Sequence, residues 1–473
     1  MDMNIFFILA SLLVGLASGR QGVGPGDQDW GYVTVRDGAH MFYWLYYHAQ
    51  TTAQPLVIWL QGGPGASSTG YGNFEELGIV DENLNVRNTS WNQSDSLMAA
   101  DGDCHHLCKL MAPVRHRWSI NDVIGGIRNT VMPSDCSPVN HVNVLFIDNP
   151  VGTGFSYVDS YDLLTTTNAE IAADLVTFTG QFMDTYPQFK TVPLYIFSES
   201  YGGKMAAEFG LALDKAIKAG TVEAALQGVG LGDSWISPID SVLTWAPFLL
   251  QTGMVDTEGH DYIDSYAQQT KAALDNGQYE QATDLWGATE NAIFVATDGI
   301  DFYNILTKVG GSRRFFSMKD IVKKHQLRDD ASLDRLMNGI VKETLGIPAQ
   351  VEWGGQSGYV FNYLYGDFMK SVTNIVEQLL DETDLTVCVF TGQLDLIVDT
   401  PGTLDWTERL QWTGSQQWLG AQRNSLVVNG YIEGYKKVYG NLHFYWLLRS
   451  GHMVSTAFSH FLFTLKLFQF FTF

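Results

Sequence analysis

The chain has 473 residues, 45% of them hydrophobic, enough for one large or two ordinary domains around a substantial core. Its 28 basic and 51 acidic residues leave a formal net charge of −23, which argues against nucleic acid or an anionic membrane as a partner. Four cysteines, at positions 104, 108, 136 and 388, are too few for a disulfide-built scaffold.

Residues 1–19 read as a secretory signal peptide. Ile5 to Leu16 form a short apolar run, too short to span a bilayer comfortably, and Ala17-Ser18-Gly19 place small residues before Arg20. Trp30 to His48 reads as a hairpin turning at Asp37-Gly38. Pro55 to Leu60 is a short apolar strand that runs into Gly62-Gly63-Pro64-Gly65. Asn88-Thr89-Ser90 and Asn92-Gln93-Ser94 are acceptor triplets for glycosylation at Asn88 and Asn92. Residues 98–140 form an atypical insertion that mixes histidines and cysteines without periodicity. Its Cys104-His105-His106-Leu107-Cys108 run has no second pair at a suitable spacing, so no metal is expected.

Val142 to Ile147 is another strand, ending at Asp148. Thr167 to Met183 carries helical periodicity, with Ile171, Leu175, Phe178 and Phe182 on one face. Leu194 to Phe197 is a strand that reaches Ser200, and a helix-forming run from Lys204 to Lys218 follows. Residues 235–375 are richer in helix formers and charge and read as a helical cap inserted between sheet strands. Leu385 to Phe390 is a strand ending near Asp395, and Leu442 to Leu448 precedes His452. The tail 455–473 is atypical, and Lys466 interrupts its apolar run, so no stable membrane insertion is expected. Residues 98–140 and 455–473 both have the character of an unspliced or misjoined transcript.

Strands alternating with helices predict a mainly parallel central sheet with helices on both faces. Polar groups cluster after the strand ends, which puts the site at that edge. The sharp strand–serine–helix turn at Ser200 is how an α/β-hydrolase presents a nucleophile. Such a turn needs small residues two positions before and after the serine; Ser198 and Gly202 stand there. The order Ser200, then Asp395 or Asp399, then His452 is that of an α/β-hydrolase triad.

Five blocks in order resemble the serine carboxypeptidase family. They are Trp59-Leu60-Gln61-Gly62-Gly63-Pro64-Gly65, the stretch from Asp148 to Tyr157, Glu199-Ser200-Tyr201, Gly392-Gln393-Leu394-Asp395 and Gly451-His452-Met453-Val454. The resemblance covers most of 28–97 and 141–454, within a catalytic domain spanning 20–454, and Gln61, Ser198 and Gln393 look most like the retinoid-inducible branch. It implies an α/β-hydrolase fold and a triad of Ser200, Asp395 and His452, favouring Asp395 over Asp399. It also implies an oxyanion hole from the backbone N–H groups of Gly63 and Tyr201. A substrate carboxylate would meet Gln61, Gly62 and Glu199, with Glu76 paired to Glu199 and Trp59 nearby. The implied activity is release of C-terminal residues from peptides and proteins through an acyl-enzyme, at acidic pH, without metal or organic cofactor. The implied location is the secretory pathway, secreted or lysosomal. An acyltransferase or esterase on the same scaffold, and a catalytically impaired isoform acting as a binding protein, remain alternatives.

Overall fold

The computed structural model of the protein describes residues 19–48, 53–85, 142–309, 331–428 and 430–454. The expected signal peptide apart from its last residue, the sites at Asn88 and Asn92, the whole of the 98–140 segment and the 455–473 tail lie outside these residues.

The strands in chain order are β1 (Arg20–Gln21), β2 (Asp27–Arg36), β3 (Ala39–Tyr46), β4 (Leu56–Leu60), β5 (Asn143–Ile147), β6 (Tyr157–Val158) and β7 (Pro193–Ser200). They continue with β8 (Ala225–Ser234), β9 (Ile300–Asp301), β10 (Asn304–Lys308), β11 (Thr386–Gly392), β12 (Arg423–Val428), β13 (Tyr431–Tyr439) and β14 (Leu442–Leu447). All but β9 and β10 join one sheet, in the order β1-β2-β3-β5-β4-β7-β8-β11-β14-β13-β12, with β6 beside β3. The centre from β5 to β14 is parallel throughout. Both margins are antiparallel ribbons.

Burial explains the central strands. Every residue of β4 is buried, as a strand covered on both faces requires. Leu56, Ile58 and Leu60 enter one core, and Val57 and Trp59 enter the other, following the two-residue alternation of a strand. Helices α1 (Asn168–Thr185) and α2 (Gly202–Lys218) fill the first core with Ile171, Leu175, Phe178, Met205 and Phe209. Helix α1 starts at a capping box: Thr167 accepts from the Glu170 N–H, and Glu170 accepts from the Thr167 N–H at 3.2 Å. A wide helical segment, Ser68–Leu77, and the stretch around Leu333 to Val341 fill the second core.

Between β8 and β11 lie α3 (Pro238–Gln251), α4 (Thr257–Asp275), α5 (Tyr279–Ala296), the β9–β10 hairpin, several short helices and α6 (Thr373–Glu382). The hairpin rests on the sheet's edge loops. Its Phe302 carbonyl accepts from the Leu396 and Ile397 N–H groups, both at 3.0 Å, and its Tyr303 carbonyl accepts from the His452 N–H at 2.8 Å. Helix α7 (Thr400–Arg409) follows β11. Among the described residues no helix is long and apolar enough to cross a membrane.

Candidate active site

Ser200 ends β7 and turns directly into α2 with φ 60°, a left-handed conformation that costs a non-glycine residue energy. The turn survives because its surroundings leave no alternative. The Ser200 carbonyl accepts from the Trp235 N–H at 2.9 Å. A Cβ on Gly202 would stand 2.5 Å from the Leu60 carbonyl oxygen, so that position takes only glycine. Ser198 is tolerated two residues upstream because its hydroxyl is buried and donates to the Gly230 carbonyl at 2.9 Å.

Asp395 and His452 follow the ends of the neighbouring strands β11 and β14, whose parallel pairing runs to Gly392 and Leu447. His452 Nδ1 lies 2.8 Å from Asp395 Oδ2, and both side chains are buried. Asp395 Oδ1 accepts from the Val398 N–H at 3.3 Å. The imidazole packs against the Tyr303 ring at a tilt of 43°, 5.0 Å between centroids. Asp399 takes no part in this contact. It precedes α7 and accepts from the Thr244 hydroxyl at 2.9 Å. Burial, then the charge of Asp395, pushes the Asp399 carboxyl well above the usual carboxylate range.

Ser200 and His452 line one pocket together with Gln61, Gly62, Gly63, Glu76, Glu199 and Tyr201. Among the described residues no hydrogen bond joins the Ser200 hydroxyl to His452; contacts of this kind commonly tighten only with substrate bound. Gly62 presses against the nucleophile: a Cβ there would lie 2.5 Å from Ser200 Cβ and 2.9 Å from the Tyr201 nitrogen. The next residue, Gly63, has φ 109°. Among the described residues neither the Gly63 nor the Tyr201 N–H donates to a backbone carbonyl, which leaves both available to an oxyanion.

Gln61 organises the acidic side of the pocket. Its Nε2 donates to Glu76 Oε1 at 3.0 Å and to Glu199 Oε1 at 3.1 Å, so the amide bridges the two carboxyl groups. Trp59 lies behind it and donates to Gln61 Oε1 at 2.8 Å, while the Gln61 N–H donates to Ser68 Oγ at 3.0 Å. Trp59 therefore orients Gln61 rather than lining the pocket. The pocket is also lined by the aromatic residues Trp235, Trp286, Phe361 and Phe368. The sequence carried no signal for these four residues, because they come from separate elements between β8 and β11.

Asp233, Asp395 and His452 place one ligand atom each within 4.8 Å of one another, the one such group among the described residues. The Nδ1 to Oδ2 distance within it is that of a direct hydrogen bond, and a cation there would displace that proton.

The serine carboxypeptidase family model matches residues 20–101 and 126–471, so it enters the 98–140 segment from both sides and runs through most of the tail. The retinoid-inducible serine carboxypeptidase of Rattus norvegicus is 41% identical over 95% of this chain and 94% of its own length. That of Homo sapiens is 40% identical over 95% and 93%. The crystal structure of a prohormone-processing carboxypeptidase from Saccharomyces cerevisiae superposes with a TM-score of 0.70, covering 93% of this chain and 90% of that one at 18% identity, a likeness of fold. End-to-end relatives at this level of identity, and a family match that embraces every strand end around the pocket, leave one conclusion: the chain belongs to the serine carboxypeptidase family.

Proposed function

We propose that the protein removes single residues from peptide C-termini through a covalent acyl-enzyme on Ser200. The observation that carries this reading is one pocket holding two constellations: the nucleophile beside a buried Asp395–His452 pair, and the amide-bridged Glu76 and Glu199. Ser200 Oγ attacks the scissile carbonyl carbon while its proton passes to His452 Nε2. Asp395 holds Nδ1–H and stabilises the imidazolium. The oxyanion is received by the N–H groups of Gly63 and Tyr201. The C–N bond then breaks, and His452 returns its proton to the departing amine. Water repeats the sequence on the ester, and the peptide acid leaves.

The free α-carboxylate of the departing residue sits against Gln61, the Gly62 backbone, Glu76 and Glu199. Two buried carboxyls bridged by one nitrogen cannot both ionise without cost, so one keeps its proton and donates to the substrate carboxylate. Peptide cleavage is therefore strongest on the acid side of neutrality. The apolar run and small residues at 1–19, with the triplets at Asn88 and Asn92, support entry into the secretory pathway. A fluorophosphonate probe tests the nucleophile. Wild-type protein labels and Ser200→Ala does not; equal labelling of both, or of neither, removes the basis of this reading.

A further inference from the structure

Beyond these residues, one buried acid has no role in the reaction as written. Asp233 lies at the end of β8, completely buried, with φ 38°, a strained conformation for a residue with a side chain. Its Oδ1 accepts from the Gly392 N–H at 2.8 Å, on the strand that leads to Asp395. Its Oδ2 is sealed from solvent and receives no donor. A carboxylate oxygen in that position would bear an unpaired charge in a dry interior, a cost proteins avoid by protonation. The ligand atoms of Asp233, Asp395 and His452 lie within 4.8 Å of one another. Asp395 already serves His452 with Oδ2 and Val398 with Oδ1.

We propose that Asp233 is a positioning residue of the triad: its carboxyl O–H donates to Asp395 and so fixes the carboxylate that orients His452. This rests on the reading of Ser200, Asp395 and His452 given above. Two buried carboxyls with oxygens within 4.8 Å of each other share one negative charge, and the hydrogen bond from His452 to Asp395 determines which holds it. The strongest influences on Asp233 favour its neutral form. Burial acts first, then the charge of Asp395, and Glu199 adds to them; the Gly392 N–H opposes them. Together they hold the Asp233 carboxyl well above the usual carboxylate range. A carboxyl so raised favours its neutral form and gives up its proton only as pH climbs. Asp233 therefore supplies a hydrogen bond to Asp395 without adding a second charge that would over-stabilise the imidazolium. Asp399 is directed to Thr244 and cannot substitute for it.

The test is the rate of fluorophosphonate labelling against pH for wild type, Asp233→Ala and Asp233→Asn. Labelling involves Ser200, Asp395 and His452 but no substrate carboxylate, so it is independent of Gln61 and Glu199. Asparagine keeps a donor and an acceptor and cannot ionise. The expected result is a loss of about tenfold or more in Asp233→Ala, with Asp233→Asn restoring the rate to within about threefold. The acid-limb midpoint of Asp233→Asn should stay within about 0.3 pH unit of wild type, since no charge has been removed. Wild-type labelling speed in Asp233→Ala would overturn the proposal. So would Asp233→Asn as slow as the alanine variant, or an acid limb displaced downward by about one unit, since Asp233 would then act as a charge. Should the alanine variant not fold, as judged by circular dichroism, the asparagine arm decides alone. Absence of labelling in wild type would instead reject the assignment of the nucleophile.

Discussion

Gly62 shows how little space separates the nucleophile from the loop that faces it. A Cβ at this position would meet Ser200 Cβ at 2.5 Å, the Glu199 carbonyl at 2.8 Å and the Tyr201 nitrogen at 2.9 Å, all parts of the strained turn. None of these is the far end of a flexible side chain, so the loop itself has to retreat. Gly62→Ala should keep the overall fold, seen by an unchanged far-ultraviolet spectrum, yet slow fluorophosphonate labelling by about a hundredfold, as a displacement of about 1 Å does elsewhere. Labelling within a factor of about two of wild type would show that the loop has slack. The glycines around Pro64 and the residues beside Ser200 were legible because turn chemistry restricts which amino acids are allowed. Asp233 was not. A single acid in a strand has no spacing or partner in sequence, and only the meeting of β8 with β11 reveals what it touches.

Among elements, the apolar runs announced themselves. The strands read at Pro55–Leu60, Val142–Ile147, Leu385–Phe390 and Leu442–Leu448 each lie within about a residue or two of β4, β5, β11 and β14. β8 gave no such run, because Gly228, Gly230 and Gly232 interrupt it; aromatic rings of its neighbours, Phe197 and Phe390, occupy the space that Gly230 and Gly232 leave. The charged, half-exposed ribbon β12–β13 and the glycine-containing helix Ser68–Leu77 likewise lack the apolar periodicity that sequence reading depends on. One contact between elements is worth breaking. Lys204 on α2 is fully buried, and its ammonium lies 3.2 Å from Asp367 Oδ2 and donates to the Asp367 carbonyl at 2.7 Å. The Tyr201 hydroxyl donates to the same carboxylate at 3.0 Å. Burial pulls the ammonium down to about 8, against the attraction of Asp367, so it remains mostly charged at neutral pH. This pair pins the nucleophile's helix to the short helix Tyr365–Phe368, whose Phe368 stacks on the Tyr201 ring at 5.9 Å. Lys204→Met strands the aspartate, and denaturant titration should record a loss of about 3–5 kcal/mol. A loss below about 1 kcal/mol would mean the carboxylate finds water or a proton at little cost.

At the scale of the whole molecule, what matters is convergence. Residues 61, 76, 200, 395 and 452 are scattered over most of the chain, yet all but Asp395 line one pocket, and Asp395 is the hydrogen-bond partner of the one at 452. The parallel centre of the sheet explains this, since its strands all deliver their C-terminal loops to the same edge. The order of motifs foretold that edge. The β9–β10 hairpin, which holds both the Leu396–Ile397 backbone and His452, could not be foreseen, because its hydrogen bonds come from backbone groups that carry no residue signature. On the proposed function, this edge attacks a carbonyl only when a free carboxylate is seated beside it. The direct measurement is release of the C-terminal amino acid from a peptide and from its C-terminally amidated copy, followed by mass spectrometry from pH 4 to 8. The free peptide should be shortened one residue at a time, fastest at the acid end, while the amidated copy survives. Equal cleavage of the two, or a rate that climbs steadily to pH 8, would contradict it.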